Sequence, residues 1–131
     1  MVPRALVGLV ERITFHVPEV LPDGSSVPAE LLASYEEELF DIASRAWLAS
    51  GGMNEEGFTI LTGAVGAWRS PSGKTYREPV RLYCLDVTQV EAVLDDVRRA
   101  AERMRVGLKQ EAIYLTITPV EASTISSPAF A

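Results

Sequence analysis

The chain has 131 residues, 47 % of them hydrophobic and 23 % charged, a balance that fits one folded domain and excludes a disordered, collagen-like or low-complexity chain. Eighteen acidic residues against twelve Lys plus Arg give a net charge of −6, which speaks against a general nucleic-acid binder. One cysteine excludes an internal disulfide or a zinc knuckle, one histidine excludes a multi-histidine metal site, and no apolar run is long enough to span a bilayer.

Leu6–Val17 alternates with period two and reads as a first strand, with Val7, Leu9, Ile13, Phe15 and Val17 on one face and Val10, Arg12, Thr14 and His16 on the other. The opening Met1–Val10 stretch is too short for a signal peptide and is interrupted by Glu11-Arg12, so a cytoplasmic protein is expected. Pro18 to Pro28 is a loop rich in turn formers. Ala29–Ala49 repeats apolar residues at helical spacing (Leu32, Tyr35, Leu39, Ile42, Ala46) and stops at Gly51-Gly52. After a loop over Met53–Gly57, Phe58–Arg69 reads as a second strand interrupted by Gly63 and Gly66, positions that suggest a bulge or a close approach. Ser70–Lys74 is a compact turn, so Thr75–Val87 forms a hairpin with it, with Val80, Leu82 and Cys84 expected toward the core and Arg81, Tyr83 and Leu85 away from it. Thr88-Gln89-Val90-Glu91 matches a capping box and opens a second helix that Gly107 closes. Glu111–Val120 is a fourth strand, and residues 122–131 are expected to be a flexible tail on a single domain spanning 1–121.

The order β-α-β-β-α-β, with a hairpin in the middle, predicts an α+β fold: a ferredoxin-like βαββαβ sandwich whose four-stranded, mostly antiparallel sheet carries both helices on one face. The other face then has no cover from its own chain. Alternation places Val10, Arg12, Thr14, His16, Arg81, Tyr83, Leu85, Tyr114, Thr116 and Thr118 there, while the second strand's facing depends on whether a glycine bulge shifts its phase. A half-apolar open face implies a homo-oligomer, a dimer or trimer, or a ligand covering it.

Chemistry-bearing residues are few. His16 is the one histidine able to act as a general base near neutral pH, with Arg12, Tyr83 and Tyr114 as possible neighbours, against the plainer reading of an inert histidine at an interface. Cys84 reads as a small buried hydrophobe. The hairpin is the most unusual stretch: Gly63 and Gly66 leave room, Trp68 and Tyr76 can stack on a planar group, and Arg69, Lys74 and Arg77 can hold an anion beside Glu78. The plainer reading is a twisted hairpin with an Arg–Glu pair and an edge tryptophan. The basic run Arg98, Arg99, Arg103, Arg105 and Lys109 is either a solvated helix face paired with Glu36, Glu37, Glu38 and Asp41, or an anion site or docking surface for an acidic partner. No metal or cofactor motif is present; the glycines match neither a P-loop nor a dinucleotide fingerprint.

Gly66-Ala67-Trp68, Gly73, Arg77-Glu78-Pro79 and Gln110-Glu111-Ala112 together resemble the pattern of an uncharacterised family of small bacterial, plasmid and phage α+β proteins. That resemblance implies the fold and no activity. A weaker resemblance, in element order, the long central hairpin and Ile117-Thr118-Pro119-Val120-Glu121, is to the PII-like regulators, and implies nucleotide sites between subunits without the recognisable ligand motifs. The leading expectation is a non-catalytic oligomeric module that binds a small molecule, such as a small anion, or a protein partner. The binding residues expected are Trp68, Arg69, Tyr76, Arg77, Glu78, Arg81, Tyr83 and Tyr114. The alternatives are a small cofactor-free enzyme of the dimeric α+β barrel type using His16, and a mobile-element accessory or inhibitor protein.

Overall fold

The computed structural model describes residues 7–51, 56–123 and 125. The chain runs β1 (Val7–Pro18), α1 (Ala29–Ala49), β2 (Gly57–Arg69), β3 (Thr75–Val87), a single 3-10 turn at Val90–Ala92, α2 (Leu94–Gly107) and β4 (Leu115–Ser123). The sheet order is β2-β3-β1-β4, and every neighbouring pair is antiparallel. Each helix therefore links two strands that have a third between them, which is the ferredoxin-like split βαβ arrangement. No described helix is long and apolar enough to cross a membrane.

One core joins the sheet to both helices. Ile13, Phe15 and Val17 of β1 and Tyr83, Leu85 and Val87 of β3 pack with Leu32, Leu39 and Ile42 of α1 and Val97, Ala100 and Met104 of α2. Burial of this apolar surface is what holds the helices on one side of the sheet. Leu9 shares the parity of the inner face of β1 but stands exposed opposite Glu121.

The register corrects the facing expected of β3. Phe15 pairs with Tyr83 and Ile13 with Leu85, so Arg81, Tyr83 and Leu85 point at the helices, and Val80, Leu82 and Cys84 lie on the open face. Both faces of this central strand are largely apolar, so alternation alone could not choose between them. The inward Tyr83 hydroxyl is accommodated because it donates to Glu36 of α1 at 2.9 Å, and the Arg81 guanidinium reaches the same carboxylate at 2.5 Å. Burial, ahead of the Glu36 contact, pushes the Tyr83 phenol far above its ordinary pKa. Cys84 is buried as expected but on the opposite side of the sheet, where it accepts from the Thr14 hydroxyl at 3.7 Å.

The helix ends also differ from expectation. Thr88 does not cap α2. Its N–H and hydroxyl both donate to Glu56, and α2 starts at Leu94 after the 3-10 turn without a side-chain cap. Gly107 does not take the left-handed closing position. It lies in the last turn, where a Cβ would overlap the Tyr35 hydroxyl of α1, so glycine is required there by the close approach of the two helices. The left-handed residue is Lys109, at φ 56, two positions on. Lys109 N–H donates to Val106 and Gln110 N–H to Arg105, the paired bonds of a Schellman closure. β4 begins at Leu115 rather than Glu111 and reaches Ser123, two residues past the expected domain limit; of the expected tail, nearly all lies outside the described residues.

Of the basic run on α2, Arg103 pairs with Glu38 across to α1, while Arg99 and Arg105 pair with Asp96 and Glu102 on their own helix. Glu36 is engaged with β3 instead. Among the described residues the expected pairing with α1 holds for Arg103, while Arg99 and Arg105 are paired within α2 instead.

Candidate functional site

The candidate site is built by a phase shift in β2. Leu61 pairs with Leu82 and Ala64 with Val80, so β2 spends one residue more than β3 between those points, with Gly63 at φ 77. Before this bulge Thr59 and Leu61 share the open face. After it Ala64, Gly66 and Trp68 do. Without the extra residue Trp68 would point to the helix side.

Three cross-strand pairs follow along the shifted face. Ala64 lies opposite Val80, Gly66 opposite Glu78 and Trp68 opposite Tyr76. The Trp68 and Tyr76 rings stack at 5.2 Å with 20° between their planes. Gly66 leaves a gap that a side chain would fill: a Cβ there would sit 3.2 Å from Val80 and 3.8 Å from His16 Nδ1. The glycine thus keeps open the space between His16 and the hairpin. On the next strand over, His16 meets Tyr114 edge to face at 5.2 Å, and its N–H donates to the Tyr114 carbonyl. A cleft of about 300 Å³ lies between these groups, lined by His16, Ala67, Trp68, Arg69 and Tyr114.

Glu78 is the electrostatic anomaly. One carboxylate oxygen is buried without a hydrogen-bond partner among the described residues. Burial pushes its pKa above the usual carboxylate range, and the nearby Trp68 N–H opposes this only in part. Burial also lowers the pKa of His16, which favours the neutral imidazole. Both shifts favour the uncharged form of the group. At the other end of the same face the charges are matched: Arg12 holds Asp86 with two hydrogen bonds of 2.7 and 2.9 Å.

The hairpin is fastened at its tip. Glu111, from the loop before β4, accepts from Ser72 N–H at 2.9 Å and from the Tyr76 hydroxyl at 3.3 Å. Those hydrogen bonds, Ser72 first, hold its carboxyl below the usual range. Lys74 sits over the Tyr76 ring at 5.0 Å. The Tyr76 side of the stack is therefore anchored.

Of the residues expected from sequence, the structure brings His16, Trp68, Arg69 and Tyr114 around one cleft, while Tyr76 stacks on Trp68 and Glu78 lies opposite Gly66. Arg77 faces a second cavity on the other side of Glu78. Arg81 and Tyr83 do not belong to the site, because they are committed to Glu36 beneath the sheet. Sequence reasoning placed Glu111 only in the Gln110–Ala112 pattern and Lys109 only in the basic run of α2. A lysine at the helix-closing position, where glycine is unstrained, was the available signal for the latter. Among the described residues no group of three His, Cys, Asp or Glu side chains is placed to hold a metal ion.

No family model matches the chain, and no curated protein matches it. Among solved structures it is similar to a phage SAM lyase in complex with S-methyl-5'-thioadenosine, at 13 % identity and a TM-score of 0.51, over 88 % of this chain and 90 % of that one. At this identity the likeness shows the shared α+β fold.

Proposed function

We propose that the open-face cleft is a small-molecule site for a thionucleoside-like ligand, one with a flat base and a polar or positively charged end. The single observation that carries this reading is the unpaired buried oxygen of Glu78 beside the stacked Trp68–Tyr76 pair. An unpaired buried acceptor costs about 1–3 kcal/mol, a loss that a ligand donor or cation would relieve. The aromatic pair offers a face for the base. The complex of the structurally similar phage lyase with S-methyl-5'-thioadenosine supports that ligand class.

The direct test is calorimetric titration with S-methyl-5'-thioadenosine. Saturable binding that Glu78→Ala and Trp68→Ala each weaken about tenfold or more is expected. Absence of saturation at millimolar ligand, or binding indifferent to Glu78→Ala, sinks the proposal.

A catalytic reading is favoured by one further observation: Gly66, the cross-strand partner of Glu78, leaves open the space beside His16 Nδ1. It is tested by incubating the protein with S-adenosylmethionine and following release of S-methyl-5'-thioadenosine by chromatography. Release above background that Glu78→Gln abolishes makes the protein an enzyme. Binding without release leaves the non-catalytic module.

A further inference from the structure

Beside the hairpin the structure forms a second cavity of about 330 Å³. Its walls come from three separate places: the loop after β1 (Val20, Leu21), the start of β3 (Lys74, Arg77, Glu78) and the closure of α2 (Lys109). Three cations converge there in a chain whose net charge is −6. Among the described residues none of the three lies in an ion pair, whereas Arg12, Arg81, Arg99, Arg103 and Arg105 all do. Of the acids nearby, Glu78 stands in the cavity wall with one oxygen unpartnered among the described residues, and the other two are engaged. Asp23 accepts from the Ser25 N–H and hydroxyl, and Glu111 from Ser72 and Tyr76.

Lys109 adds a second, independent observation. It holds a left-handed backbone conformation at the position where helices usually place glycine. A side chain kept there against local strain is a mark of use. A contrasting cavity of about 310 Å³, lined by Arg98, Glu102, Arg105 and Glu111, shows what a self-satisfied site looks like, since Arg105 is spent on Glu102 through two hydrogen bonds.

We propose that Lys74, Arg77 and Lys109 form an oxyanion site that takes the phosphate or carboxylate group of a small molecule. The convergent N–H donors are the chemistry such a group requires, with Arg77 able to bind it through two parallel hydrogen bonds. The residues that line this cavity and those that line the Trp68–His16 cleft do not overlap.

The experiment is an amide-resolved NMR titration at low salt with inorganic phosphate and, separately, with acetate. Saturable shifts confined to Lys74–Arg77 and Leu108–Gln110 are expected. Arg77→Ala and Lys109→Gly should each weaken binding about tenfold, while Arg98→Ala leaves it unchanged. Lys109→Gly keeps the left-handed closure, so a weakened site in a protein of equal or higher Tm reports the side chain and not a folding defect. Phosphate bound more tightly than acetate marks a phosphorylated ligand, and equal binding marks a carboxylate. Shifts that rise linearly, or that Arg98→Ala reduces as much as Arg77→Ala does, overturn the proposal. The outcome separates from that of the cleft, because S-methyl-5'-thioadenosine carries no anionic group: phosphate binding without nucleoside binding sinks the cleft reading alone, and the reverse sinks this one alone.

Discussion

The two faces of one sheet handle polar groups in opposite ways. Under the helices, Tyr83 and Arg81 bring a hydroxyl and a charge into a half-buried layer, and a single carboxylate, Glu36, accepts from both. On the open face, Glu78 is part-buried and one of its oxygens has no donor among the described residues. The same strand, β3, carries both residues. The difference teaches that burial on the helix side is a solved packing problem, whereas on the open side it is left incomplete at one place, beside stacked aromatics and a gap guarded by Gly66.

This contrast can be broken by mutation. Phe15→Ala empties a fully buried position on the helix side and should cost about 3–5 kcal/mol of stability in urea unfolding. Tyr114→Ala, half-exposed on the open side, should stay within about 1 kcal/mol. Comparable losses would mean that the open face is structural. Glu36→Ala strands the Tyr83 hydroxyl and leaves Arg81 only its longer pair with Glu19 at 3.4 Å, and a loss of about 1–3 kcal/mol is expected, reduced from the fully buried case because the ion pair is part-exposed. Gly107→Ala should destabilise by about 1–3 kcal/mol through collision with Tyr35, although alanine ordinarily stabilises a helix interior by about 1 kcal/mol. Lys109→Gly should do the reverse and stabilise by up to about 1 kcal/mol, by removing left-handed strain.

The smallest effect sharpens the comparison through pH. The folded state raises the pKa of Glu78, so it favours the protonated form. That contribution is complete below the unfolded value of 4.5 and is lost as pH rises from there through the folded value. His16, whose pKa is lowered, acts in the other direction: its contribution is present above 6.5 and lost as pH falls through and below that value. Thermal melts of Glu78→Gln across pH 4 to 7 should therefore show a flatter Tm profile than the parent chain, with the gain largest at the neutral end. Parallel profiles would show that Glu78 ionises normally.

The fold was legible because its elements carry strong local signals: β-branched alternation in β1, an apolar stripe over Ala29–Ala49, and a turn at Ser70–Lys74 that forces a hairpin. The site was legible in part, since Gly66, Trp68, Tyr76 and Glu78 drew notice as an odd cluster. What sequence could not supply was phase. Apolar residues on both sides of β3 make its two facings equivalent until Phe15 is seen opposite Tyr83, and this misplaced Arg81 and Tyr83. The position of Lys109 depends on where α2 closes, and the more obvious glycine, Gly107, serves helix contact instead.

The most direct test of the account is to map, residue by residue, which amides shift when S-methyl-5'-thioadenosine is titrated into the protein. Saturable shifts are predicted at His16, Gly66–Arg69, Tyr76–Glu78 and Tyr114, with Leu39, Tyr83 and Met104 unmoved. Shifts centred on the helix side, or none that saturate, would contradict the claim that the open face is the one left unfinished for a ligand.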